Sequence, residues 1–318
     1  MRNNNWIITA IVIVAALRLL SANANAEDRL RVAIGQRGNW DTAVCELGQR
    51  AGFFKKHGLV LENLYTQGAG ETLQALISGS VDIGIAIGTP GGMSAYAKGA
   101  PVRAIASAYT GTNELFWYVR SDSPIKSMAD IGGKTFGFST NGSSSNTVAL
   151  ALIKRFNPGA RPTATGSPSA TLIQVMSGQI DVGWSSPPFG LDALAQGQIR
   201  IIAHGSDAPE LQDQTVRLLM TNTSVIKSKK EVLARFLAAY RESLDWMYAD
   251  DAALKSYAEW IGISEHMARR AREFYPKTGM SPDRISGLKS VMDDAVVFKY
   301  LSQPLTSEQL SEFFWKIE

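Results

Sequence analysis

Three consecutive serines, Ser143, Ser144 and Ser145, follow Gly142 where an apolar helical stretch begins, and Gly68 and Gly70 stand just ahead of another. Both arrangements place backbone N–H groups at a helix start, where the first turn lacks internal acceptors and the dipole favours negative charge. The serine hydroxyls add donors there without adding net charge. These residues suit an anionic group. Thr89 and Asn113 offer further side-chain hydrogen bonds, Arg37 a positive charge, and Trp40 and Trp184 flat surfaces for the apolar part of a ligand. Gln36, Asn141 and Pro187 stand in the same loops and complete the candidate set. Each residue also has a plainer use: glycines make turns, one serine caps its helix, Arg37 is solvated, and the tryptophans pack in cores. The set lacks what covalent catalysis needs, a nucleophile with a base beside it. Cys45 is the single cysteine, and His57, His204 and His266 lie far apart, so no metal-ligand spacing arises and no cofactor is expected. No cluster of Arg or Lys marks these loops, which points to a singly charged organic anion, a sulfonate or carboxylate. Nitrate and a neutral heterocycle are the alternatives.

The elements that carry these loops repeat. Leu73–Pro90 (LQALISGSVDIGIAIGTP) and Leu172–Phe189 (LIQVMSGQIDVGWSSPPF) align Ser78-Gly79 with Ser177-Gly178, Asp82 with Asp181, and Gly84 with Gly183. Each reads as an amphipathic helix ended by a glycine, a turn, a buried strand, and a loop at the strand's C-terminal end, where open α/β sheets bind ligands. Asp82 and Asp181 are expected to serve the turns or to cap helices. The flanking sequence alternates short β-branched runs with helical patterns: a helix over 42–56, strands over 60–64 and 135–138, and a polar loop over 139–146. From Lys229 onward the pattern is almost all helical, with Val232–Tyr248 apolar on one face. The expected fold class is α/β: two lobes, each a mostly parallel sheet flanked by helices, with a cleft between them.

The chain has 318 residues, 45% hydrophobic and 19% charged, with a net charge of +3. That is ordinary globular composition, long enough for two cores. It contains no charge block for nucleic acid, so no nucleic-acid partner is expected. Residues 1–26 read as an export signal: Arg2, an apolar run over 6–20, and Ala24-Asn25-Ala26 as the cleavage site. Cleavage after Ala26 leaves a nearly neutral chain with a periplasmic address, expected to be a monomer.

The order of parts resembles the periplasmic solute-binding proteins of ABC importers, in the branch handling nitrate, taurine, alkanesulfonates and thiamine-precursor pyrimidines. The resemblance rests on Gly68-Ala69-Gly70-Glu71 before LQALISGSVDIG, on Gly88-Thr89-Pro90, and on the stretch Ile125–Lys134 (IKSMADIGGK). Ser177–Trp184 and Phe236–Arg241 (FLAAYR) extend it over nearly the whole exported chain. It implies a type II periplasmic binding fold: residues 27–112 and 216–318 in lobe one, 113–215 in lobe two. It also implies a small-molecule ligand and an ABC permease in the inner membrane as partner. A ligand-sensing module for a receptor would look the same in sequence. An enzyme is disfavoured, because the related pyrimidine synthase needs a histidine in the cleft and an iron-binding cysteine cluster, and this chain offers neither.

Overall fold

The computed structural model describes residues 27–316, so the export segment and its cleavage site lie outside the described residues. Lobe one opens with β1 (Asp28–Gly35), α1 (Val44–Arg50), α2 (Phe53–Lys56), β2 (Leu59–Thr66), α3 (Ala69–Ile77), β3 (Ile83–Gly88), α4 (Thr89–Ala97) and β4 (Val102–Thr110). The single helix expected over 42–56 is two, because the chain turns through Ala51-Gly52. Lobe two follows with β5 (Phe116–Arg120), β6 (Thr135–Phe138), α5 (Ser144–Phe156), β7 (Arg161–Ala164), α6 (Pro168–Met176), β8 (Gly183–Ser185), α7 (Leu191–Ala195) and β9 (Ile199–His204). The chain returns on β10 (Thr215–Asn222). It ends in helices α8 (Thr223–Ala249), α9 (Asp251–Ile261), α10 (Glu265–Glu273), α11 (Leu288–Val297) and α12 (Ser307–Phe313).

The lobe-one sheet has the order β2-β1-β3-β10-β4. In lobe two, β7-β6 and β8-β5-β9 are joined by a bridge between Phe136 and Val182, giving β7-β6-β8-β5-β9. The two orders are the same topology. Each sheet is mixed, not uniformly parallel: β10 runs against β3 and β4, and β5 runs against β8 and β9. These are the strands by which the chain enters each sheet from the other lobe, so they arrive from the opposite direction. The apolar cores divide accordingly. Lobe one draws on residues up to Tyr109 and from Val216 onward, and lobe two on residues from Leu115 to Leu211.

The repeat extends to single atoms. Asp82 Oδ2 accepts the N–H of Arg31 at 2.9 Å, and Asp181 Oδ2 accepts the N–H of Thr135 at 2.9 Å. Each aspartate therefore ties the turn after a helix to an equivalent strand, β1 in lobe one and β6 in lobe two; neither caps a helix. Thr66 and Thr72 share a hydroxyl hydrogen bond of 2.8 Å, and Thr165 and Thr171 share one of 2.7 Å. Gly79 and Gly178 end α3 and α6 at φ of 73° and 78°, where a Cβ would be strained.

The lobes meet backbone to backbone at the start of α4. A Cβ on Gly88 would lie 2.0 Å from the Gly142 carbonyl oxygen, and one on Gly91 would lie 2.7 Å from it. Backbone therefore packs on backbone across the cleft.

Candidate ligand-binding site

The site grows from four segments that end at the cleft: the loop after β1, the first turn of α5, the end of β8, and the start of β10. They enclose a chamber of about 30 Å³, room for about one or two water molecules. Beside it lies a wider groove of about 470 Å³, walled in part by Leu172, Phe189, Ile261 and Met267. Gln36 lines both spaces, at φ 71°.

The floor of the chamber is ionic. Arg217 on β10 is buried and donates from Nη1 to Asp41 Oδ2 at 2.6 Å, from Nη2 to Glu114 Oε1, and from Nε to Ser144 Oγ at 2.8 Å. Its guanidinium also stacks 5.3 Å from the Tyr109 ring centroid. One basic group thus bridges lobe one, the crossing segment and lobe two. Burial pushes the Glu114 carboxyl up to about 6, against the pull of Arg217. The chamber lining holds one basic residue and no cluster, and a strand supplies it, not the loops singled out in the sequence.

Ser143 is the N-cap of α5, its hydroxyl accepting the Asn146 N–H at 3.1 Å. Ser145 Oγ accepts the Ser139 N–H at 3.0 Å and shares further bonds with the hydroxyls of Ser139 and Ser143. Ser144 receives Arg217. All three hydroxyls are engaged within the protein, and the first-turn N–H groups of Ser144 and Ser145 have no acceptor among the described residues.

The other candidates divide. Trp184 is buried and lines the chamber. Trp40 lies in the lobe-one core, edge-on to Tyr257 at 4.9 Å and Tyr248 at 6.0 Å, and does not line the chamber. Gly68 and Gly70 pack against Thr140 of lobe two, whose hydroxyl accepts the Gly70 N–H at 2.9 Å. Thr89 is buried and donates to the Thr215 carbonyl at 2.6 Å, a tie between α4 and β10. Asn113 and Asn141 are exposed, and Asn141 borders a separate groove between α3 and α4. The Pro187 carbonyl accepts from Asn39 Nδ2 at 3.2 Å and from the Tyr275 hydroxyl at 3.0 Å. Arg37 leans on Trp260, 5.1 Å from its ring, at the rim of the outer groove. Sequence reasoning missed Asn39, Asp41, Glu114 and Arg217. The signal available was a lone arginine inside the apolar run VRLLM.

The lone thiol is elsewhere: Cys45 is buried in the lobe-one core, and burial pushes its pKa up. Among the described residues, no His, Cys, Asp and Glu group has the arrangement to hold a metal, and neither His nor Cys lines the chamber.

Solved structures share this architecture. The alkanesulfonate-binding protein SsuA of Xanthomonas axonopodis pv. citri, bound to MOPS, matches with a TM-score of 0.76 at 18% identity, over 91% of this chain and 98% of its own. The periplasmic aliphatic sulphonate binding protein SsuA of Escherichia coli matches at 0.67 and 18%, over 91% and 92%. The desulfurization enzyme DSZB matches at 0.64 and 15%, over 91% and 96%. At such identities these likenesses establish the periplasmic binding protein fold alone. No curated protein matches the chain by sequence. The family model described as NMT1/THI5 like matches residues 39–253, which takes in the loop after β1 from Asn39 on, both crossings, the chamber lining apart from Gly35 and Gln36, and the start of the C-terminal helices; the chain belongs to that family.

Proposed function

We propose that this chain is a solute-binding protein that captures a small organic anion outside the cytoplasm and hands it to an ABC importer. The observation that carries the reading is the shape of the cleft: a small polar chamber against the start of α5 and Arg217, beside a wider groove walled in part by apolar side chains. That pairing fits a compact charged head on an apolar body, a sulfonate or carboxylate. Helix-start N–H groups and the guanidinium favour the negative head. The lack of a cysteine or histidine at the chamber, among the described residues, supports binding over covalent catalysis. The likeness to sulfonate-binding proteins supports the ligand class, and the family's company of importers supports the partner. Export with cleavage after Ala26, a periplasmic address and a monomeric state belong to the same reading.

A thermal-shift screen of the exported protein against alkanesulfonates, carboxylates, nitrate and pyrimidines tests it. A ligand present at a hundred times its Kd should raise stability by about 2.7 kcal/mol. Calorimetry then gives the Kd, and loss of uptake of the same solute in cells lacking the protein tests the importer role. Should no member of the screen shift the melting temperature, the solute-binding reading falls.

A further inference from the structure

Two side-chain atoms of the chamber's lining residues have no hydrogen-bond partner among the described residues, Asn39 Oδ1, an acceptor, and Trp184 Nε1, a donor; Glu114 Oε2, an acceptor on the ionic floor, has none either. Asn39 and Trp184 are only 2% exposed. A buried polar atom left unpaired is costly, so such atoms mark the place of a missing partner. The orientation of the Asn39 amide is fixed by its surroundings. Its nitrogen faces Ser186 Oγ at 2.6 Å, the Pro187 carbonyl at 3.2 Å and the Tyr275 hydroxyl at 3.3 Å. A carbonyl can only accept, so the amide nitrogen belongs there and the oxygen is the end left over.

The two free atoms of the lining come from opposite lobes and want opposite things. Trp184 and the first-turn N–H groups of Ser144 and Ser145, all from lobe two, need acceptors. Asn39, from lobe one, needs a donor, and beside it Asp41 and Glu114 outnumber the single Arg217. A bare sulfonate or carboxylate has acceptors only. It would satisfy the lobe-two side, leave Asn39 Oδ1 unpaired, and bring a further negative charge toward two buried carboxyl groups.

Taking the solute-binding reading as its basis, we propose that the ligand's head is bifunctional. An acceptor oxygen points to Trp184 and the start of α5, and an amino or amide N–H points to Asn39 Oδ1. The ligand class is then an amino- or amido-substituted organic acid, not a plain one.

Matched pairs of probes differing only in that nitrogen test the proposal by calorimetry: 3-phenylpropionate against phenylalanine, propionate against alanine, and propanesulfonate against 3-aminopropanesulfonate. The nitrogen-bearing member of at least one pair should bind about tenfold to hundredfold more tightly. Asn39→Leu should erase that preference, Asn39→Asp, which keeps an acceptor, should retain it, and melting curves on both variants check that they fold. The wild-type comparison stands without either variant. Equal binding within every pair, or tighter binding of the plain acid, overturns the bifunctional head and leaves the solute-binding reading intact. If no member binds while a plain anion or heterocycle from the broader screen does, the proposal fails alone; if nothing in either set binds, both fail.

Discussion

The two lobes have one sheet topology and unlike faces at the cleft. Lobe one brings ionised side chains: Asp41 after β1 and Arg217 on β10. Lobe two brings a capped helix start, serine hydroxyls and an indole, with no acid or base among its chamber-lining residues. The entering strands make the contrast plainest. β10 carries Arg217 at its cleft end, while the matching end of β5 carries Phe116, buried beside Tyr118. A duplicated scaffold therefore fixes where a site forms, and substitutions on equivalent strands decide what each half contributes. An asymmetric ligand can be held by halves that began alike.

The sharpest way to break the comparison is to remove the charge that lobe one alone supplies. Arg217→Met leaves Asp41 and Glu114 buried without their cation and should cost about 3–5 kcal/mol in a denaturant melt. A loss below about 1 kcal/mol would mean the ionic floor is dispensable. The paired aspartates test how equal the repeat is in energy. Asp82 is buried and also meets Lys229 Nζ at 3.2 Å, whereas Asp181 is half-exposed with Lys134 at 3.8 Å. Asp82→Ala should cost about 1.5–3 kcal/mol, and Asp181→Ala clearly less; equal costs, or the reverse order, would refute the reading.

Titration separates the crossing segment from the body of lobe two next. The Glu114 carboxyl is pushed up to about 6, above the ordinary 4.5, so the folded state holds this proton longer than the unfolded one. Its contribution to stability is therefore full below pH 4.5 and falls as pH rises to about 6, by about 2 kcal/mol. In lobe two, Asp130 is held low by the backbone N–H groups of Lys126 and Ser127, so its contribution has the opposite sign and is lost as pH falls. Melts of wild type and Glu114→Gln across pH 4–7 should show the wild type losing ground to the variant as pH rises; parallel curves would contradict it. The smallest effect belongs to the cap. α5 begins with a side-chain cap from Ser143, and α1 begins at Ala43 with none. Ser143→Ala should cost about 1 kcal/mol of stability with affinity little changed, whereas Ser144→Ala, which removes an Arg217 partner, should lower both. Loss of affinity in Ser143→Ala without loss of stability would make that serine a ligand group instead.

How far this was legible in the sequence follows from what kind of signal each feature leaves. The repeat of Leu73–Pro90 in Leu172–Phe189 shows because apolar period and glycine position are local. The matched threonine pairs, Thr66 with Thr72 and Thr165 with Thr171, escape because two hydroxyls bonded across a loop and a helix turn follow no period. Arg217 hides for a different reason. Its partners Asp41 and Glu114 stand 176 and 103 residues away, and a charge in a short strand reads as an outward position until the topology buries it. A helix start and a strand end leave local signals, so the serine run and Trp184 are legible in the sequence. Which glycine faces solvent, ligand or the other lobe depends on packing, and Gly68 and Gly70 turned out to meet Thr140.

Where Gly88 and Gly91 meet Gly142, the lobes touch with no side chain between them. Any single-nucleotide change in a glycine codon that yields another residue adds at least a Cβ, so no such change can bring the lobes nearer, and at Gly88 or Gly91 each one drives them apart. Mutational drift at this contact has one direction: it can only hold the lobes further apart. In the solute-binding reading proposed above, affinity is thus limited partly by residues that do not line the chamber.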